Sequence, residues 1–360
     1  MKDGISNRKF PVILFSKELM NVKGGSSKYY ADIQQVIEDF CGLRDNDCKD
    51  LIVIFDRLPI SYPSAIKYLD SPSVLYIMGS EPLKPYVRDY LRSNLWVKSF
   101  FIPPFYVMRH LKHCSQLTIS SSLQMADYIV VPSKVALRYL KVPARTKIYI
   151  LPPGIRVPPE VPSIIQHRKD IIAMLGRISP EKNYETAIRI LGGLKTSSVR
   201  LVIMGFLSHT NYDYYLYLRS LAKKLGVQEQ LIILTDVSDV VKKKMLNRAK
   251  IILHDRIDGL FEIGVAEGMS YGCVPIVWYG GTAWWEILQC GKYGFSYKTV
   301  NEAAGLIETL LSDYKSMKKY STLAYERARQ LSFSIFRERL YEILEEVTTF
   351  EKSSKLLMQR

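Results

Sequence analysis

No stretch of the 360 residues approaches the roughly 18 uninterrupted apolar positions that a membrane-spanning helix needs, so no spanning segment is expected. Cysteine is scarce and odd in number (Cys41, Cys48, Cys114, Cys273, Cys290), with no Cys-x-x-Cys pair and no zinc-ligand spacing. That excludes a disulfide-stapled secreted scaffold and points to a reducing, cytoplasmic compartment. A leader is not expected either. In the opening MKDGISNRKFPVILFSKEL, the apolar run Val12 to Phe15 is too short for a signal core, and Pro11 and Lys17 bracket it like a first β-strand. Histidine and acidic residues form no cluster at metal-ligand spacing. His254-Asp255 is only a dipeptide and reads as a strand end, so no metal is expected. There is no internal repeat and no low-complexity tract.

Acidic residues are the minority charge: 35 Asp and Glu against 50 Lys and Arg, a net +15. The excess concentrates in 84–147, where eleven Lys and Arg face only Asp89 and Asp127. Within it runs Leu95-Trp96-Val97-Lys98-Ser99-Phe100-Phe101-Ile102-Pro103-Pro104-Phe105-Tyr106-Val107. Aromatics interleaved with cations suit the surface of an anionic bilayer. A core segment with solvated lysines explains them equally well. Nucleic acid is not expected, because no nucleic-acid motif accompanies the charge.

What is present is an alternation of strands and helices, the pattern of α/β layers with parallel sheets. Candidate strands are Val12–Phe15, Leu51–Phe55, Val74–Met78, Tyr128–Val131 and Ile148–Leu151, with a helical pattern from Lys28 to Phe40. The proline-dense stretch Leu151 to Pro162 lacks backbone donors and resists helix, so it reads as an interdomain linker. A second alternation follows through Ile171–Leu175, Leu201–Met204, Leu231–Leu234, Ile251–Leu253 and Val274–Val277. Apolar residues, 48% of the chain, suffice for the cores of two domains. The expected division is 1–155, 156–335 and a terminal helix 336–360. Phe333, Phe336, Leu340, Ile343, Leu344 and Val347 recur at helical spacing there, and the end frays from Lys352.

Two stretches carry chemistry. In 171–194, IIAMLGRISPEKNYETAIRILGGL, a strand ends at Gly176, Arg177 and Lys182 flank a Ser-Pro-Glu turn, and an amphipathic helix starts near Asn183. Arginine grips phosphate oxygens bidentately and lysine acts as a point charge, so this turn suits a diphosphate. In 251–276, IILHDRIDGLFEIGVAEGMSYGCVPI, a strand leads through a polar turn into a helix that ends at Gly272 and carries Glu267 in its first turn. A helix start beyond a strand's carboxyl end offers unbonded N–H groups and a positive dipole end to phosphate. Glu267 is placed to accept hydrogen bonds from a ribose. Either stretch alone reads as an ordinary strand–turn–helix, but together in one half of one chain they point to a nucleotide-diphosphate site.

On these residues the chain resembles the retaining, nucleotide-sugar-dependent glycosyltransferases of the GT-B fold, family 4. Further landmarks follow in the family's order: Gly24-Gly25, the run Ala126 to Ser133, Pro153-Gly154-Ile155, Gly176 to Asn183, Glu267-Gly268-Met269 and Gly280-Gly281. The resemblance implies two Rossmann-like doubly wound domains facing a cleft, with a last helix crossing back to the first domain. It implies Arg177 and Lys182 on the donor diphosphate, Glu267 on the ribose, and backbone N–H groups of Ile263, Gly264 and Val265 on the phosphates. Gly24, Gly25 and Gly176 then approach the donor, and Glu286 frames its site. The family's usual further glutamate, eight positions before Glu267, is Gly259 here, and its Phe-Gly pair is Phe261-Glu262. Either Asp258 or Glu262 contacts the sugar instead, or that contact is missing.

The expected activity is therefore metal-independent, retaining transfer of a hexose from a nucleotide diphosphate sugar to a glycan or a polyprenyl-linked acceptor, with no separate cofactor. The expected place is cytoplasmic and peripheral at the inner face of the cell membrane. The competing readings are a non-catalytic GT-B scaffold module and a non-hydrolysing nucleotide-sugar epimerase.

Overall fold

The computed structural model describes residues 12–15, 25–43, 51–55, 73–77, 126–138, 142–159 and 165–358 apart from 258; side chains are not described at 12–15, 25–28, 51–55, 73–77, 166 and 349–358. The elements are β1 (Val12–Phe15), α1 (Gly25–Leu43), β2 (Leu51–Phe55), β3 (Ser73–Ile77), β4 (Tyr128–Val131), α2 (Lys134–Leu137) and β5 (Lys147–Ile150). They continue with β6 (Ile171–Leu175), α3 (Tyr184–Gly192), β7 (Arg200–Gly205), α4 (Tyr212–Lys224), β8 (Leu231–Thr235), α5 (Asp239–Arg248), β9 (Ile251–His254) and α6 (Ile263–Ser270). Last come β10 (Val274–Trp278), a π-helical turn at Ala283–Ile287, β11 (Phe295–Tyr297), α7 (Val300–Ser312), α8 (Tyr314–Gln330) and α9 (Phe333–Met358).

The chain divides into two compact units. One takes Met1–Pro82, His110–Gly154 and Phe333–Arg360, the other Leu83–Arg109 and Ile155–Ser332. In the first unit, described strands β1 to β5 form a parallel sheet in sequence order. The helical spacing of Tyr29, Ile33, Val36, Ile37 and Phe40 gives α1 one apolar face. That face packs on Phe336, Leu340, Leu344 and Val347 of α9. The tail periodicity is thus core packing, and the backbone stays helical to Met358. The Tyr29 hydroxyl donates to the Leu151 carbonyl at 3.1 Å. Cys41 in α1 is disulfide-bonded, whereas Cys273 and Cys290 are free. This bond runs against the reducing compartment expected from the odd count and the missing Cys-x-x-Cys pair, because an odd total does not prevent one pair from meeting.

In the second unit six parallel strands run in the order β11-β10-β9-β6-β7-β8. Side chains alternate between the faces. Ile172 and Met174 of β6 join one core cluster, and Ile171, Ala173 and Leu175 join the other. A parallel strand covered on both faces reads as a continuous apolar run, which is why β6 and β9 were plain in the sequence. β11 was not, because its three residues Phe295–Tyr297 are too few to set a period. The chain builds β6, β7 and β8 in one direction, then returns to lay β9 on the other flank of β6 and proceeds to β10 and β11. That reversal creates a crevice at the carboxyl ends of β6 and β9, where ligands bind in open α/β sheets.

Candidate functional site

Beyond the end of β6, Gly176 accepts a hydrogen bond from the Tyr184 hydroxyl at 2.9 Å. The next residues turn sharply through a 3-10 segment, Pro180–Lys182, and Asn183 (φ 53°) starts α3 from the left-handed region. Arg177 Nη2 lies 3.2 Å from Glu181 Oε1, and the Ser179 hydroxyl donates to the same oxygen at 2.7 Å. Burial works to raise the Glu181 pKa, but Arg177, Arg256 and Ser179 outweigh it and hold the carboxyl below its usual range.

Beyond the end of β9, His254, Asp255 and Arg256 are all buried. Three bonds fix the loop that follows. Asn183 Nδ2 donates to the Asp255 carbonyl at 2.9 Å, the Tyr297 hydroxyl donates to Asp255 Oδ1 at 2.9 Å, and the Thr282 hydroxyl donates to the Gly259 carbonyl. The loop delivers Glu262, whose side chain is only 5% exposed. Lys182 Nζ donates to Glu262 Oε2 at 3.0 Å, and His254 Nε2 lies 3.1 Å from that oxygen but without the alignment of a hydrogen bond. Glu262 Oε1 stands 3.9 Å from Arg256 Nη1 and has no hydrogen-bond partner among the described residues. Burial raises the Glu262 pKa, yet Lys182, His254 and Arg256 together hold it well below the carboxylate range. His254 is pushed down, first by burial and then by Lys182 and Arg256, against the pull of Glu262. The imidazole is therefore neutral at pH 7.

The helix α6 begins directly after Glu262. Glu262 holds its cap position but makes no side-chain cap bond, because the carboxylate turns to Lys182 instead. Gly264 packs against the end of β6, where a β-carbon would come 2.8 Å from the Leu175 carbonyl and 2.9 Å from its Cβ. Of the three amides expected to face phosphate, two are engaged. Ile263 N–H bonds the Phe261 carbonyl at 3.1 Å, and Val265 N–H bonds the Glu262 carbonyl at 3.0 Å. The Gly264 N–H has no hydrogen-bond partner among the described residues. Glu267 is the fifth residue of α6, in its second turn, which corrects its placing in the first: the helix opens at Ile263, earlier than the motif alone suggests. Its Oε1 lies 3.4 Å from Lys242 Nζ.

The structure thus brings together Gly176, Arg177, Lys182, Glu262, Ile263, Gly264 and Val265. Glu286 sits in the π-helical turn that follows Thr282, half-buried, with its carbonyl accepting from Arg327 Nη2 at 2.9 Å. Trp285 is 43% exposed, and Trp284 packs on Tyr279. Gly25 opens α1 in the other unit. Gly24, Asp258 and the cationic segment from Lys84 to Arg109 lie outside the described residues. Sequence reasoning missed Glu181, His254 and Arg256. The available signal was their polarity next to buried strand ends, which only the strand order turns into a cluster. Among the described residues no group of His, Cys, Asp and Glu is set to hold a metal, and no helix is long and apolar enough to cross a membrane.

Residues 161–327 match the family model described as Glycosyl transferases group 1. A Dictyostelium discoideum protein named GDP-Man:Man(3)GlcNAc(2)-PP-Dol alpha-1,2-mannosyltransferase is 25% identical over 180 residues, 46% of this chain and 36% of its own. A trehalose synthase from Pyrococcus horikoshii is 27% identical over 187 residues, 50% of this chain and 45% of its own. The chain thus matches less than half the length of these curated relatives. Among solved structures, the Anabaena protein HepE in complex with UDP and glucose aligns with a TM-score of 0.63 at 15% identity, covering 93% of this chain and 99% of that one. A sucrose-phosphate synthase from Thermosynechococcus elongatus aligns with a TM-score of 0.65 at 13% identity, covering 93% and 80%. The fold is that of the GT-B proteins, two Rossmann-like α/β units.

Proposed function

We propose, from the match of residues 161–327 to the group 1 glycosyl transferase model, that the protein transfers a hexose from a nucleotide diphosphate sugar. The observation that carries this reading is the convergence of Lys182, Arg177, Arg256 and the uncapped start of α6 at the β6–β9 crossover. Cations and an open helix N-terminus stabilise the charge that grows on a departing diphosphate. In this proposal the diphosphate takes over Lys182 and Arg177 from their carboxylates and lies on the Gly264 N–H. Glu267, one turn further along α6, takes the ribose, and Glu286 borders the donor. Transfer retains configuration by front-face attack, in which the leaving phosphate helps remove the acceptor proton. Arginine and lysine do the charge work here, so the reading is metal-independent.

The acceptor proposed is a glycan or a polyprenyl-linked glycan. Two things support it: the Dictyostelium relative's name, which contains a dolichol-linked glycan, and the cationic 84–147 segment. The proposed setting is the cytoplasmic face of a membrane. Flotation with anionic and neutral vesicles checks this, with recovery on anionic vesicles expected; equal recovery in the soluble fraction from both removes it.

A thermal-shift series with UDP, GDP, UDP-glucose and GDP-mannose tests the site. A bound ligand at a hundredfold excess over Kd stabilises by about 2.7 kcal/mol. At least one of the four should raise Tm, and Lys182→Ala should abolish that rise. No shift with any of them would sink the reading. Nucleotide binding without turnover of either sugar nucleotide would favour the scaffold module, a reading kept open by the missing carboxylate at Gly259.

A further inference from the structure

Gly259 and Glu262 compete for one volume. A β-carbon on Gly259 would overlap Glu262 Oε1, and it would lie 2.7 Å from the Glu262 carboxyl carbon. The carboxylate that grips Lys182 therefore sits in the space a side chain at 259 would fill. A glutamate at 259 would place its own carboxyl carbon two C–C bonds from that β-carbon, about 2.5 Å away. Both carboxyl carbons fall at a similar distance from that β-carbon, and a side chain at 259 overlaps the present Glu262 carboxylate, so the two exclude each other and this chain supplies the carboxylate from 262.

That carboxylate is half used. Oε2 is engaged by Lys182 and approached by His254, whereas Oε1 is buried with no hydrogen-bond partner among the described residues. A buried acceptor without a donor is unfavourable, which makes it a place where a ligand donor is missing. The donor has to arrive beside an ammonium group that the proposed function assigns to a diphosphate. A hydroxyl on the group attached to that diphosphate meets the requirement. We infer that Glu262 is the sugar-selecting residue of this site: Oε2 positions Lys182, and Oε1 accepts a hydroxyl of the transferred sugar from the place left open by Gly259. The inference rests on the nucleotide-sugar reading above.

The test compares the affinity of UDP with UDP-glucose, and of GDP with GDP-mannose, by calorimetry. The near-isosteric Glu262→Gln keeps the shape but gives up the charged acceptor. It should hold or raise nucleoside-diphosphate affinity, because Lys182 loses its partner, while the advantage added by the sugar falls about tenfold or more. Gly259→Ala should give the same loss by expelling the carboxylate. The exchange Gly259→Glu/Glu262→Gly should restore most of the sugar's advantage. An unchanged advantage in Glu262→Gln, or a folded exchange variant no better than Glu262→Gln, overturns the inference alone. A wild-type protein that binds none of the four ligands overturns the site assignment and this inference with it.

Discussion

Burial keeps His254 neutral at the end of β9, and the cations around Glu262 keep it charged against burial. His254 and Glu262 share a pocket that water does not reach, and both have folded pKa values below their unfolded ones. For both groups, then, the unfolded chain binds more protons over the affected range. Stability is fully present above the unfolded pKa and lost as pH falls towards the folded value. With unfolded values of about 6.5 for histidine and about 4.3 for glutamate, the histidine loss begins first. Tm should therefore fall as pH is lowered from 7.5 to 5.5, and His254→Gln should flatten that fall, as read by scanning fluorimetry. A pH-independent Tm in both proteins would show that His254 is not held neutral. Such residue-level coupling was only partly legible in the sequence. Arg177 and Lys182 stood out through their spacing around a turn, but nothing in the spacing revealed that each cation pairs with a carboxylate, Glu181 and Glu262.

At the scale of elements, the site depends on how closely α6 approaches β6. Gly264 is the contact point, and its missing side chain brings the helix start to the strand end. Gly264→Ala should push the helix back. Overpacking of this kind costs about 1–3 kcal/mol, measurable as a lower urea midpoint. If α6 presents its first turn to phosphate, nucleotide affinity should fall more than stability does. Unaltered affinity in a destabilised variant would separate the helix start from the ligand. The sequence showed α6 and its end near Gly272, because apolar spacing and a glycine stop are local signals. It did not show where the helix begins. The residue at that boundary, Glu262, is held by Lys182, a contact across 80 residues of chain.

At the scale of the whole molecule, the first unit relies on a segment from the far end of the chain. Leu340 of α9 is fully buried against α1. Leu340→Ala should destabilise that unit by about 2–5 kcal/mol. Hydrogen exchange should then rise in α1 and α9 while β6, β7 and β9 keep their protection. Uniform loss in both units would mean that they unfold as one. The sequence by itself determined the strands other than β11, the paired α/β alternations and the apolar stripe of α9, because each is written in an apolar run or a helical period. Only the tertiary structure decided that β9 lies beside β6, and hence that the ends of two distant strands share one charge cluster. It also decided that the Glu262 carboxylate is delivered to Lys182 there. Strand order follows from how the whole sheet buries its two faces, and no local period encodes which apolar strand will sit next to which.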